Sequence, residues 1–189
     1  MAQEKPIPIE SFTAGRIRVP PQNLEAEVST LGALMLDSNA VIRVVDILGP
    51  EDFYRPQHQI IYKTILELFE RHEPIDVLSL TSRLREKGLL ESVGGTSYLA
   101  DLVNSVPTAS NVAHYAEIVK KKKIMRELIR ASSEIAELGY GESEDIDQAL
   151  DDAEKRVFSI YQRSLSQRFN LLSQTLEEAW ERIDHQHKN

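Results

Sequence analysis

Four consecutive lysines, Lys120–Lys123, are the residues of this chain whose chemistry is most apparent. With Arg126 and Arg130 they form a cationic cluster that could bind the phosphates of DNA or an acidic partner. A helix turns by about 100° per residue, so four successive side chains spread over about 300° of its surface. Because they cannot share one face, a solvated junction where a helix leaves a globular head is the second interpretation. A single run in a chain of net charge −8 gives the junction more weight.

The other residue types that could do chemistry lack the spacing that it needs. Gly94-Gly95-Thr96 has the glycines of a phosphate loop but neither its lysine nor its glycine spacing, so a tight turn is predicted. His58 and His72 have no second ligand at metal spacing and are interpreted as surface or hydrogen-bonded histidines. His185 and His187 are two residues apart and cannot face each other on a helix. The sequence therefore predicts no catalytic residue, no cofactor site and no metal site.

The composition excludes several classes of protein. The acidic net charge of −8 argues against wholesale wrapping of nucleic acid. The chain has no cysteine, so disulfides and thiol chemistry are excluded. No apolar run approaches the roughly 20 residues of a membrane span, and the N-terminus lacks the pattern of a signal peptide. We therefore expect a cytoplasmic protein without a membrane partner, and sparse strand signals predict an all-α fold.

The elements that would position these residues begin with a compact head of five to six helices at 20–110, which follows a flexible arm at 1–19. Asn23 and Asp76 are predicted to cap two of the helices, and Glu27 is expected to favour the positive N-terminal end of the first. Asp37 or Ser38 is predicted to start a second helix with Val41, Val44, Val45 and Leu48 as its apolar residues. A glycine inside the first helix, Gly32, predicts close helix packing.

A projecting antiparallel hairpin is predicted at 111–163. A helix from Asn111 to Leu138 would be about 42 Å long, against a radius of gyration near 13 Å for ~100 residues. The residues at 139–145 break it, and the apolar spacing then restarts. The predicted seam consists of Ile124, Leu128, Ala131, Ile135, Leu138, Ile146, Leu150, Ala153, Val157 and Ile160. Met125, Ile129 and Phe158 lie off this seam, and we predict that they mediate self-association.

A linker and a separate linker helix are predicted at 164–189. The apolar stripe of this helix is narrow and consists of Leu172, Leu176, Ala179 and Ile183, with Trp180 beside it. So thin a stripe cannot form a core alone, so these five residues are predicted to dock into a groove on this chain or on a neighbour.

The sequence resembles the N-terminal portion of bacterial replicative DNA helicases of the DnaB type. The resemblance runs in family order from about Val19 to Gly139. It rests on Pro20-Pro21-Gln22-Asn23-Leu24-Glu25-Ala26-Glu27, Leu31-Gly32-Ala33-Leu34-Met35-Leu36-Asp37, Asp52-Phe53-Tyr54-Arg55-Pro56 with His58, Glu73-Pro74-Ile75-Asp76, Val93-Gly94-Gly95 with Tyr98-Leu99, and Val106-Pro107-Thr108-Ala109-Ser110-Asn111 with Tyr115-Ala116. It implies a helical head, a helical hairpin, and a linker helix that leads to a RecA-like ATPase.

The family resemblance also implies a function. The full-length enzymes are hexameric rings that use ATP and Mg²⁺ to translocate on single-stranded DNA and unwind duplex DNA. This part would be the N-terminal collar, in which hairpins of neighbouring subunits pair head to head, primase docks, and helicase loaders engage the ring. The sequence has no Gly-x-x-x-x-Gly-Lys-Ser/Thr, so we expect the RecA-like domain to be absent and this part alone to be inactive. The run Lys120–Lys123 is more basic than the resemblance leads us to expect at that place.

Two alternatives remain open at this point. The chain could be a free-standing nucleic-acid-binding module that uses the patch Lys120–Lys123, or the helicase-binding domain of a primase, which has a similar helical shape. The Pro-Pro-x-Asn start at Pro20 and the Phe-Tyr-Arg-Pro turn at Phe53 favour the helicase.

Overall fold

A computed structural model describes residues 19–141 and 145–162, which are helical and contain no strand, so the predicted all-α class is confirmed. The α-helices are α1 (Leu24–Leu36), α2 (Pro56–Glu70), α3 (Val77–Glu86), α4 (Gly95–Asn104), α5 (Val112–Tyr140) and α6 (146–162), and 3₁₀ helices lie at Ser38–Arg43, Pro50–Asp52 and Glu91–Val93. The predicted arm, apart from Val19, lies outside the described residues. So does the predicted linker helix, with Leu172, Leu176, Ala179, Trp180 and Ile183.

Side-chain caps start two helices of the head, as the sequence predicts. The Asn23 Oδ1 atom accepts a hydrogen bond from the Ala26 amide at 2.9 Å. The Asp76 Oδ1 atom accepts one from the Ser79 amide at 2.8 Å. Each cap satisfies an amide that has no partner within its helix, which fixes where α1 and α3 begin.

The prediction of an α-helix after Asp37 is wrong. Asp37 does accept a hydrogen bond from the Asn39 amide at 3.0 Å, but it starts the short 3₁₀ helix Ser38–Arg43, and Val45 is 39% exposed. Four of the five residues at 41–45 are apolar and β-branched, and such residues lose side-chain freedom in an α-helix. Tertiary packing then decides the conformation, because Val41, Val44 and Leu48 are buried while the backbone between them forms turns.

One core joins the head to the first turns of α5. The buried side chains include Leu31, Leu34, Ile61, Ile65, Leu80, Leu84, Leu99 and Leu102. Val112, Ala116 and Val119 of α5 belong to the same cluster, and beyond Val119 no residue of α5 does. The apolar contact of this helix with the head therefore covers about two turns and ends at Val119.

The glycine in α1 marks the closest helix crossing of the head. A Cβ atom built on Gly32 would lie 2.1 Å from the Leu102 carbonyl oxygen and 2.7 Å from the Val106 Cγ2 atom. No side chain larger than hydrogen fits there, because these atoms belong to the α4 backbone and to a buried residue that follows it. The predicted close packing at Gly32 is thus confirmed.

A buried phenol stabilises the head through one hydrogen bond. The Tyr62 hydroxyl donates to the Leu48 carbonyl oxygen at 3.1 Å. Burial raises the pKa of Tyr62, and the negative charges of Asp52, Asp46 and Glu51 raise it further. Because the folded pKa exceeds the unfolded one, the stabilisation is complete below about pH 10 and is lost as the pH rises further and the unfolded chain ionises.

We predict that Tyr62→Phe lowers the free energy of unfolding by about 1 kcal/mol at pH 8. Above about pH 10 the Tyr62 hydroxyl lowers the free energy of unfolding of the wild type by up to about 1.4 kcal/mol per pH unit. The variant lacks this group, so the difference in stability between the two proteins narrows or reverses. Urea unfolding of both proteins at several pH values measures this difference in the free energy of unfolding. A difference that stays constant between pH 8 and pH 11 would contradict the assignment.

Candidate assembly surface on the helical hairpin

Helices α5 and α6 form an antiparallel hairpin that is held by polar contacts and a narrow apolar strip. Glu134 of α5 binds the Arg156 guanidinium of α6, and the Arg130 Nε atom lies 3.4 Å from the same carboxylate. Ala131 is the buried apolar residue of this contact. At the turn, the Asp145 carboxylate accepts a hydrogen bond from the Gln148 amide at 3.1 Å, which caps α6.

Four residues of the predicted hairpin seam are exposed instead of buried between the two helices. Leu128, Ile146, Leu150 and Val157 were predicted to fill it but are between 46% and 66% exposed. The facing positions are taken by the Glu134–Arg156 pair and by Ala131, and two helices alone can bury only one narrow strip of each other. These four residues therefore point outward.

The outward apolar residues include two of the three residues predicted to mediate self-association. Ile129 is 55% exposed and Phe158 is 51% exposed, whereas Met125 is half-buried. The set of large apolar residues exposed on the hairpin is Leu128, Ile129, Tyr140, Ile146, Leu150, Val157, Phe158 and Tyr161, and we call it the outer hairpin surface. So dense a set of exposed apolar side chains is typical of a surface that another molecule covers. Self-association through Met125, Ile129 and Phe158 stays a prediction.

Three cations of the predicted patch bind the head. The Lys120 Nζ atom lies 2.9 Å from the Asp52 carboxylate, and the Lys123 Nζ atom donates to the Glu51 carbonyl oxygen at 3.2 Å. Arg126 donates to the carbonyl oxygens of Asp52 and Pro21 at 2.5 and 2.9 Å. We call these contacts the α5 clamp, because they hold the helix to the loop that precedes α2.

Of the other three cations in the predicted patch, one is paired with a carboxylate and two are not. Arg130 is paired with Glu134, whereas Lys121 and Lys122 have no carboxylate within ion-pair distance in the part of the chain that the structure describes. A cleft of about 390 Å³ beside the clamp is lined by three acidic and three basic side chains, so its charge is balanced. These contacts divide the cluster instead of forming one anion site, and the predicted DNA or partner patch stays a prediction.

A buried hydrogen bond between Glu27 and His58 in the head is a feature that the sequence does not predict. Glu27 and His58 are at most 1% exposed, and the His58 Nδ1 atom lies 2.6 Å from the Glu27 carboxylate. The other oxygen of Glu27 accepts from the Tyr54 amide at 2.6 Å, and the His58 Nε2 atom lies 2.7 Å from the Tyr98 hydroxyl. Glu27 thus anchors the loop before α2, not merely the helix N-terminus. Its spacing could have signalled burial, since Glu27, Thr30, Leu31 and Leu34 follow the pattern of a buried helix face.

The described residues also bear on the metal and phosphate sites considered from the sequence. Over 19–141 and 145–162, no group of three or more His, Asp and Glu side chains could hold a metal ion. Gly94 and Gly95 have φ angles of 100° and 71° and form the predicted tight turn at the start of α4. None of the helices described is both long and apolar enough to cross a membrane.

The fold and the surface together define a class of protein: a helical head that carries a long helical hairpin with exposed apolar side chains. The chain belongs to the family of DnaB-like helicase N-terminal domains, whose family model matches residues 19–121. The resemblance stated from the sequence is thereby confirmed.

Similar proteins support the same assignment. The chain is 43% identical over 170 residues to the replicative DNA helicase DnaC of Bacillus subtilis and 41% identical over 170 residues to the replicative DNA helicase DnaB of Geobacillus stearothermophilus. Each alignment covers 90% of this chain but only 37% of the relative, so the chain spans little more than a third of these proteins.

Solved structures share the fold. The N-terminal domain of DnaB helicase from Mycobacterium tuberculosis matches with a TM-score of 0.71 and 40% identity, over 75% of this chain and 99% of that one. A DnaB-like replicative helicase, whose structure was described together with its interactions with primase, matches with a TM-score of 0.61 and 24% identity. That match covers 73% of this chain and 31% of that one, and it shows the fold alone.

Proposed function

We propose that this chain is the N-terminal collar of a replicative DNA helicase, which joins subunits into a hexameric ring and docks primase at the replication fork. The observation that carries the proposal is the outer hairpin surface, since eight large apolar side chains on one projecting element are exposed. Covering these side chains lowers the free energy by roughly 25 cal/mol per Å² of apolar surface removed from water.

The chemistry of the complete protein lies elsewhere. We infer that ATP and Mg²⁺ bind a RecA-like domain of the complete protein, which unwinds duplex DNA and moves on single-stranded DNA in the cytoplasm. The 189 residues contain no phosphate-binding loop of the Gly-x-x-x-x-Gly-Lys-Ser/Thr type, so the residues present do not fit the nucleotide. This chain supplies a helical head, a projecting hairpin, and surfaces on which primase and a helicase loader bind.

Self-association is tested with Met125→Asp combined with Ile129→Asp. We expect the double variant to be smaller in mass than the wild type at equal concentration, because each aspartate places a charge within the apolar contact. Light scattering coupled to size exclusion measures the mass, and circular dichroism checks that the head stays folded. Leu78→Asp is the matched control, because Leu78 is 78% exposed on α3 of the head and should leave the mass unchanged. An unchanged mass of the double variant would contradict the proposal.

Primase docking is tested separately. We expect the wild type to bind the C-terminal helicase-binding domain of the primase from the same organism, with heat measurable by titration calorimetry. The Met125→Asp, Ile129→Asp variant distinguishes a primase site completed by two subunits from a site on one subunit. Loss of primase binding together with loss of mass indicates a site completed by two subunits. Absence of binding to the self-associated wild type would refute the primase part of the proposal.

A further inference from the structure

The loop of residues 51–55 holds the hairpin to the head, and side chains supply its hydrogen bonds. On the side of the hairpin, Lys123 donates to the Glu51 carbonyl oxygen at 3.2 Å. Arg126 donates to the Asp52 carbonyl oxygen at 2.5 Å. The apolar contact of α5 with the head ends before these two cations. The direction in which the hairpin projects therefore depends on the position of this loop.

On the side of the core, one buried carboxylate holds the same loop. Glu27 is 1% exposed, and it accepts hydrogen bonds from the Tyr54 amide at 2.6 Å and from the Arg55 amide at 3.4 Å. Both amides precede α2 and have no helical carbonyl oxygen to bind. Glu27 therefore fixes the backbone of the loop at these two residues.

Tyr54 is the residue at which the two sides of the loop meet. Its amide binds Glu27, and its ring faces the Arg126 guanidinium, whose Cζ atom lies 5.6 Å from the ring centroid. A guanidinium at this distance is attracted by the electrons of the ring. A displacement of the Tyr54 backbone therefore moves the ring that Arg126 of α5 contacts.

Two further residues fix the Glu27 carboxylate. The His58 Nδ1 atom lies 2.6 Å from it, and the Nε2 atom lies 2.7 Å from the Tyr98 hydroxyl. A carboxylate only accepts hydrogen bonds, so Nδ1 carries the hydrogen and, in the neutral ring, Nε2 accepts from the Tyr98 hydroxyl. Because Tyr98 is half-buried, these contacts lead from the surface of the head at α4 to the buried carboxylate.

We propose that Glu27, His58 and Tyr98 are positioning residues that couple the surface of the head at α4 to the direction of the hairpin. The coupling runs from Tyr98 through His58 and Glu27 to the Tyr54 backbone, and from the Tyr54 ring to Arg126. It goes beyond the proposed function and does not depend on self-association, because all of these contacts lie within one chain. A ligand that displaces the Tyr98 hydroxyl thereby changes the direction of the hairpin.

The distance between two spin labels measures this direction. The chain contains no cysteine, so Arg85→Cys on α3 and Ala136→Cys on α5, both at exposed positions, provide the labelling sites. Position 136 lies about 26 Å beyond Val119 along the helix, so a change of about 10° in direction displaces it by about 5 Å. Double electron–electron resonance records the distribution of distances, and an excess of unlabelled protein removes distances between copies.

We expect one narrow distribution for the wild type and, for Glu27→Gln, a distribution that is wider or shifted by about 5 Å. The glutamine amide has one acceptor oxygen where the carboxylate has two, so it cannot hold both His58 and the loop. Tyr98→Phe removes only the hydroxyl and should produce a smaller change of the same kind. Arg126→Ala should also widen the distribution, and adding Glu27→Gln to it should widen it no further, because both act at Tyr54.

Two control variants separate the direction of the hairpin from the stability of the head. Glu25→Gln changes an exposed carboxylate in the same turn of α1. Ile65→Val removes a buried methyl group of the core and destabilises the head without touching the loop. Both should keep the wild-type distribution of distances, and circular dichroism checks that every variant is folded.

The outcomes test each part of the coupling. A wild-type distribution for Glu27→Gln overturns the coupling, and a wild-type distribution for Tyr98→Phe overturns the part assigned to the surface at α4. Equal widening by Ile65→Val overturns it as well, because loss of stability would then be the cause. A wild type as broad as Arg126→Ala, or additive widening in the combined variant, contradicts the route through the loop.

Discussion

Replacing Glu27 with alanine is expected to lower the free energy of unfolding of the head by about 2–6 kcal/mol. The carboxylate is buried, accepts a hydrogen bond from the Tyr54 amide, and lies 2.6 Å from the His58 Nδ1 atom. Its removal leaves a buried imidazole and a buried amide without an acceptor, and each unsatisfied group costs about 1–3 kcal/mol. Urea unfolding followed by circular dichroism measures the change.

A neighbouring glutamate provides the matched control. Glu25 lies in the same first turn of α1 but is exposed, so Glu25→Ala should change the stability by less than about 0.5 kcal/mol. Glu27→Gln should fall between the two alanine variants, because the amide oxygen can still accept one hydrogen bond. Equal losses for Glu25→Ala and Glu27→Ala would show that the buried contacts do not stabilise the head.

Adding a single methyl group at Gly32 is the second change with a large expected effect. Its Cβ atom would lie 2.1 Å from the Leu102 carbonyl oxygen, so α1 and α4 must move apart. Overpacking of this kind costs about 1–3 kcal/mol, and we expect Gly32→Ala to reach the upper end because the obstacle is backbone. The unfolding midpoint in urea reports the loss.

The opposite sign is expected for the same substitution in the hairpin. Gly139 lies in α5 with no atom within 4 Å of the added Cβ position. Gly139→Ala should therefore raise helix stability by about 0.5–1 kcal/mol, through the loss of glycine's backbone freedom in the unfolded chain. A stabilising effect of Gly32→Ala would mean that α1 and α4 do not cross as closely as described.

The features that the sequence predicts well are those decided within a few residues. Asn23 and Asp76 cap their helices because a short polar side chain can reach an amide three residues later wherever the helix lies. Gly32 is informative for a related reason, since a glycine within an otherwise good helix carries a cost that close packing offsets. Local rules of this kind also gave the tight turn at Gly94 and Gly95.

The features that it misses depend on distant partners. Glu27 and His58 are 31 residues apart in the chain, and the fold alone shows that both are buried against each other. Packing against the core sets the conformation of the residues after Asp37, and their helical spacing does not. A 3₁₀ helix therefore stands where the sequence predicts an α-helix.

The predicted hairpin seam fails for another reason. Apolar spacing identifies which face of a helix is buried in the assembled state, but not which molecule buries it. Leu150 and Val157 have the spacing of buried residues and are exposed in the single chain. A surface that pairs with a second copy would produce this mismatch, whereas a seam closed within one chain would not.

The rooting of α5 in the head turns this helix into a lever arm. Val119 is its last residue in the core, and Tyr140 follows 21 residues later, about 31 Å along the axis. A tilt of the head by about 10° therefore displaces the far end by about 5 Å, at the length that a rise of about 1.5 Å per residue gives. Lys120 and Arg126 hold the base of the helix to the head, so a small rotation of the head produces a large displacement of the hairpin tip.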